Sequence, residues 1–176
     1  MFVLGIDPGL TRCGYGVVGR EGSVLSARAG GVITTDPASP TPQRLITVFT
    51  EIRSLVAEHR PDAVVVERVF FQVNARTAMA TGQAAGVALA AAAEAGCEIV
   101  QYTSNEVKQA VVGYGSATKT QVQRMVGSLL RLATPPQPPD VADALALAIC
   151  HLTRDPLRRA IVAAERADRT TIGGVR

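Results

Sequence analysis

Apolar positions in this chain change their rhythm along its length, and the change separates strands from helices. Residues 2–6 form a short apolar run that reads as a strand, and residues 15–18 and 24–27 read as strands of a meander joined through Arg20-Glu21-Gly22. Residues 31–34 add a candidate strand, and residues 36–42, which hold three prolines, read as a loop. From 43 to 59, Leu45, Val48, Phe49, Ile52, Leu55 and Val56 recur at helical spacing until Arg60-Pro61 stops the helix. Residues 63–66 are apolar without alternation, the pattern of a central strand buried on both faces. Further on, the pattern predicts an Ala/Gly-rich helix over 77–95, a strand over 98–102, and helices over 104–112 and 118–132. A proline-rich break follows, and a last helix starts at about Asp140. A meander followed by alternating helices and strands predicts an α/β domain, a mixed sheet with helices on both faces. That domain spans residues 1–153, and the arginine-rich stretch 154–176, with little apolar periodicity, is a basic tail of poor expected order.

The 176 residues suit one domain with a single core. With 47% hydrophobic but only 4% aromatic residues, that core is built from Val, Leu, Ile and Ala, so helices can pack closely. The net charge of +3 and pI near 9.0 permit a polyanionic partner without requiring one. Cys13, Cys97 and Cys150 are far apart, odd in number and free of any CxxC pairing, which argues for reduced thiols and against a disulfide frame or zinc site. The N-terminus lacks a basic leader, Asp7 interrupts the first apolar run, and the stretch 84–93 is too short to span a bilayer. A cytoplasmic chain is expected.

Four carboxylates sit where charge is least tolerated. Asp7 ends the first apolar strand, Glu67 ends the second, and Asp140 and Asp143 open the last apolar helix. Taken singly, each has an ordinary explanation: a turn before Pro8-Gly9, a strand-end partner for Arg68, or acids at a helix N-terminus. Together they argue for more. A carboxylate in apolar surroundings must be neutralised, paired or bound to a cation. On a helix, Asp140, Asp143, Leu147 and His151 fall in one stripe roughly 80° wide, so both acids face the way of core side chains. An apolar helix packed across the two strands would bring the four donors together. Oxygen donors without a Cys or His cluster favour Mg²⁺ or Mn²⁺, and two such ions about 4 Å apart are a common apparatus for cutting phosphodiesters.

Four motifs occur in order: Gly5-Ile6-Asp7-Pro8-Gly9, Glu67-Arg68-Val69-Phe70, Val107-Lys108-Gln109 through Gly113-Tyr114-Gly115, and Asp140-Val141-Ala142-Asp143-Ala144-Leu145-Ala146. With them, the chain from about residue 2 to residue 153 closely resembles the bacterial RuvC family of Holliday-junction resolvases. The resemblance implies an RNase H-like fold with a mixed five-stranded sheet flanked by helices on both faces. It implies a homodimer that nicks four-way DNA junctions in recombination and repair, using Mg²⁺, with Mn²⁺ as substitute and two ions per site. It implies a branch-migration partner of the RuvA–RuvB type. Matched motif by motif, it assigns catalysis and metal binding to Asp7, Glu67, Asp140 and Asp143. Two positions depart from the pattern: Arg68 stands where many relatives carry Gln, and some relatives carry His at the position of Asp140.

DNA contacts are expected at the chain's two lysines, Lys108 and Lys119, which spacing alone would leave as solvated helix positions and the resemblance assigns to the active-site cleft. Phe70 is the aromatic matched by the resemblance, Arg76 a candidate phosphate ligand, and Phe71 a core residue. The small residues Gly82, Gly86 and Ala90, with Ala85 and Ala93 beside them, either let their helix lie tight on its own sheet or admit a partner helix. The resemblance favours the partner. Two other functions compete with the nuclease. A non-catalytic junction scaffold would have lost a ligand acid, and none is lost; an actin-like ATPase needs two such domains, for which 176 residues are too few.

Overall fold

The computed structural model describes residues 1–68 and 75–154, without the side chains of Ala75 and Arg76. Strands β1 (Phe2–Asp7), β2 (Arg12–Glu21) and β3 (Val24–Thr34) form an antiparallel meander. β4 (Ala63–Glu67) and β5 (Glu98–Tyr102) join in parallel on the other side of β1, giving the order β3-β2-β1-β4-β5. α1 (Thr41–His59) lies between β3 and β4 in the chain, and α2 (Ala75–Glu94) between β4 and β5. α3 (Ser104–Val112), α4 (Lys119–Leu129) and a fifth helix, α5, over residues 139–154 follow. This is the mixed five-stranded, RNase H-like arrangement. No helix among the described residues is long and apolar enough to cross a membrane.

Strand alternation divides the core into two layers. Leu4, Ile6, Val17, Val64 and Val66 pack with Val48 and Ile52 of α1 and Ala85, Ala88 and Ala92 of α2. Val3, Val18, Ala63 and Val65 face the other way, onto Val107, Val126, Leu145, Ile149 and Leu152 of α3, α4 and α5. Asp7 shares the parity of Val3, and Glu67 that of Ala63 and Val65. Both acids therefore point into the α3–α5 layer.

α5 lies directly on the sheet backbone because glycines make room for it. A Cβ on Gly5 would collide with the Ala144 carbonyl, and one on Gly14 with the Asp140 carbonyl. One on Gly16 would come within 2.7 Å of Leu145 Cδ2. Gly5 pairs with Gly16, and Gly14 with Asp7, so the three glycines form one smooth track under the helix.

Where the structure departs from the sequence expectation, local chemistry explains it. The candidate strands 24–27 and 31–34 are one strand, β3, and β2 is longer than 15–18. The strand runs on through Gly30-Gly31, where the glycines admit neighbours: a Cβ on Gly31 would sit 2.6 Å from the Tyr15 hydroxyl, and one on Gly30 2.9 Å from Val141 Cγ1. α1 starts at Thr41, inside the expected loop, because a proline in the first turn has no N–H to leave unsatisfied. α2 starts two residues early, at Ala75, and stops one early, at Glu94. α4 begins after Thr118, which caps it, and ends at Leu129 rather than 132. α3 matches its expected span, held by a capping box in which Thr103 Oγ1 accepts from the Glu106 N–H at 3.1 Å and Glu106 Oε2 from the Thr103 N–H at 2.8 Å.

Candidate active site

Parallel pairing brings the two strand-end acids together. Ile6 pairs with Val66, so continuing the register by one residue sets Asp7 beside Glu67. Above them, the glycine track seats the first turns of α5 and lowers Asp143 to the same place. Asp7, Glu67 and Asp143 line one cleft of about 390 Å³, together with Ser104, Lys108 and Lys119. Ser104 and Lys119 are the first residues of α3 and α4, so two helix N-termini with their positive dipole ends open at this cleft. The loop between them is drawn in at Gly115, where a Cβ would clash with the Asn105 side chain.

The electrostatics are those of crowded acids. Burial first, and then the charges of Glu67 and Asp143, push the Asp7 carboxyl up to about 8. Burial also raises Glu67, helped by Asp143 and opposed by Asp7, Lys119 and the Ser104 hydroxyl. Lys119 Nζ stands 3.4 Å from Asp143 Oδ2, and the charge of Asp143 raises the ammonium above its ordinary range. The Lys119 side chain is 83% exposed, so this pair adds about 0–1 kcal/mol to the fold and leaves the ammonium free to turn. Burial pushes the neighbouring Cys13 thiol up to about 12, which keeps it protonated and unfit as a ligand.

Asp140 stands apart. Its Oδ2 accepts from Arg12 Nη2 at 2.9 Å and Nε at 3.3 Å, and it does not line the cleft. Burial would raise its carboxyl, but the bond to Arg12 and the guanidinium charge hold it below the ordinary range. With Asp143 leaning to Lys119 and Asp140 to Arg12, no three Asp, Glu, His or Cys side chains among the described residues close around a single point. The donor set nevertheless fits a hard cation. Three carboxylates crowd one cleft, burial and mutual repulsion keep Asp7 from ionising near neutral pH, and no thiol or imidazole competes as a ligand.

Of the other expected site residues, Lys108 lines the cleft, as the resemblance implies and spacing alone did not. Phe70 and Phe71 lie outside the described residues, as does the side chain of Arg76, whose backbone is in the first turn of α2. Arg68 is exposed, and its N–H donates to the Tyr102 carbonyl at 2.8 Å, extending the β4–β5 pairing beyond Glu67. Sequence reasoning missed Arg12 and Ser104. A capping signature at Thr103-x-x-Glu106 was available to place Ser104 at a helix start, but nothing in the sequence pairs Arg12 with an acid 128 residues away. The small residues of α2 split into two stripes: Ala84, Ala85, Ala88, Ala91 and Ala92 are buried, while Gly82, Gly86, Ala90 and Ala93 are exposed.

Known proteins are similar to this chain in sequence and fold. The family model described as "Crossover junction endodeoxyribonuclease RuvC" matches residues 3–151. A protein of that name from Salinispora arenicola is 55% identical over 177 residues, covering 100% of both chains. Another from Alkaliphilus oremlandii is 49% identical over 151 residues, 86% of this chain and 92% of that one. Among solved structures, Thermus thermophilus RuvC in complex with Holliday junction substrate superposes with a TM-score of 0.84 at 37% identity, over 89% of this chain and 96% of that chain. On these matches and this fold, the chain belongs to the RuvC family of crossover junction endodeoxyribonucleases.

Proposed function

We infer that this chain resolves four-way DNA junctions by metal-dependent nicking at the Asp7–Glu67–Asp143 cleft. The observation that carries the reading is the meeting of three acids, from two adjacent strands and a helix, with two lysines at their rim. We propose Mg²⁺ as the physiological ion, Mn²⁺ as its substitute, two ions at work, and Asp140 as a fourth ligand. A bound divalent ion would supply Lewis-acid activation of water and stabilisation of the leaving 3′-oxygen. The chain's own residues do the rest. Asp7 gives up its proton and, with Glu67, would hold the cation, while the Ser104 hydroxyl orients Glu67. Lys119 leaves Asp143 and, with Lys108, meets the scissile phosphate, offsetting its charge as the bond from water oxygen to phosphorus forms and the bond to the 3′-oxygen breaks. The products are a 5′-phosphate and a 3′-hydroxyl. Residues 1–153 act as the nuclease domain and 154–176 as an appended basic segment, in the cytoplasm, beside a RuvA–RuvB type branch-migration complex. Phe70 and Arg76 are proposed as further DNA contacts.

The direct test is incubation with a synthetic four-way junction and Mg²⁺, beside linear duplex and ATP. Paired nicks near the crossover, with duplex and ATP left intact, are expected; ATP turnover or indiscriminate duplex cutting would sink the reading. Lys119→Ala and Lys108→Ala are each expected to slow turnover and to reduce the salt dependence of junction binding by about one unit of slope. Unchanged salt slopes and rates in both would return these lysines to the solvated surface.

Two-fold junctions suit a two-fold protein, and the exposed stripe Gly82, Gly86, Ala90 and Ala93 of α2, with Met79 68% exposed, is the proposed homodimer contact. Among the described residues, nothing lies within 4 Å of where a Cβ on Gly82 or Gly86 would sit, so a partner helix has room to approach. Gly86→Leu is expected to give a folded monomer by sedimentation that binds junctions weakly. A wild-type monomer at micromolar concentration that still makes paired nicks would refute the dimer.

A further inference from the structure

We propose that Arg12 is a positioning residue for Asp140, holding this carboxylate off the Asp7–Glu67–Asp143 cluster until a DNA phosphate takes the guanidinium. The proposal rests on the metal-dependent reading above. Asp140 already lies near enough to join the cluster. Its backbone sits against Gly14, the cross-strand partner of Asp7, and it is three residues before Asp143 on the same helix, where such neighbours face the same way. Yet its side chain does not line the cleft, because Arg12 binds one carboxylate oxygen through two donors, at 2.9 and 3.3 Å. Released from Arg12, the side chain would be free to turn toward the face it shares with Asp143.

Arg12 is suited to the exchange. It opens β2 just after the Pro8-Gly9 turn, and its side chain is 47% exposed, so the guanidinium is open to a ligand from solvent. An exposed ion pair of this kind contributes little to the fold. A phosphate offers the same planar donor fork at least as good a partner as the carboxylate. Substrate binding would thereby complete the metal site, and metal and DNA affinities would be coupled in both directions. Lys119 repeats the design on Asp143, where a single ammonium holds the acid at 3.4 Å. Arg12 differs in contacting its acid through two donors, which gives it direction as well as charge.

The experiment is a calorimetric titration of the full chain with Mn²⁺ in the absence of DNA. Arg12→Ala and Arg12→Gln are each expected to bind Mn²⁺ about five-fold tighter than the wild type or better. The gain should vanish in the Arg12→Ala, Asp140→Asn double variant. On junction DNA, both single variants should lose about one unit of salt slope. Unchanged or weaker Mn²⁺ binding in both, at wild-type melting temperature, would overturn the proposal. Asp7→Asn separates the two levels of inference. If it loses Mn²⁺ while the Arg12 variants match wild type, the cleft holds the metal and only the positioning role fails. If it keeps wild-type Mn²⁺ affinity, the metal site itself is wrong and the proposal falls with it.

Discussion

Asp7→Asn is expected to lower junction cleavage by about 10³-fold or more while making the metal-free protein more stable near pH 8. The two effects have one cause. The Asp7 carboxyl titrates at about 8 in the fold, against an ordinary 3.8, because burial and two neighbouring acids disfavour its charge. Between those values the native state holds a proton that the unfolded chain has lost, so wild-type stability falls as pH rises from about 4 to about 8. Asn mimics the protonated acid and removes that dependence. At pH 4 in chelator the two proteins should melt together, and at pH 8 the variant should melt higher by about 2–10 °C. Junction binding should persist, since phosphate contacts elsewhere carry most affinity. Parallel melting curves across this pH range would show that Asp7 is not held uncharged in the fold.

Gly5→Ala should fail in the opposite way, losing stability and activity together. Its Cβ would meet the Ala144 carbonyl, backbone that moves only if α5 lifts from the sheet. Overpacking of this kind costs about 1–3 kcal/mol, roughly 2–12 °C of melting temperature in a domain this size. Lifting α5 also withdraws Asp143 from Asp7 and Glu67, so cleavage should fall well beyond what the lost stability explains. A variant that melts like wild type, or that cuts normally after losing several degrees, would show that α5 does not depend on the glycine track.

The pair of variants also separates what the sequence disclosed from what it hid. Residues 2–6 and 63–66 were legible as apolar strands ended by acids, and the parallel pairing seen in the structure sets Asp7 and Glu67 side by side. The helical stripe placed Asp143 on the core face of α5, together with Leu147 and His151, both of which are buried. It placed Asp140 there too, but a 3.6-residue period reports only where a side chain leaves the helix, not which partner it then turns to. That depended on Arg12, 128 residues away in the chain. Gly5, Gly14 and Gly16 were present in the sequence, yet their purpose exists only once a helix backbone lies across them. Gly31 likewise makes room for the Tyr15 ring, which comes from the neighbouring strand β2.

Crystals of the chain grown with Mn²⁺ and a four-way junction, measured for anomalous scattering at the manganese edge, would show whether the cleft holds the metal against DNA. A manganese peak bonded to carboxylate oxygens of Asp7, Glu67 and Asp143 is expected, beside a DNA phosphate and with Lys119 turned off Asp143. A peak bonded to neither Asp7 nor Glu67, or a phosphate bound away from this cleft, would contradict it.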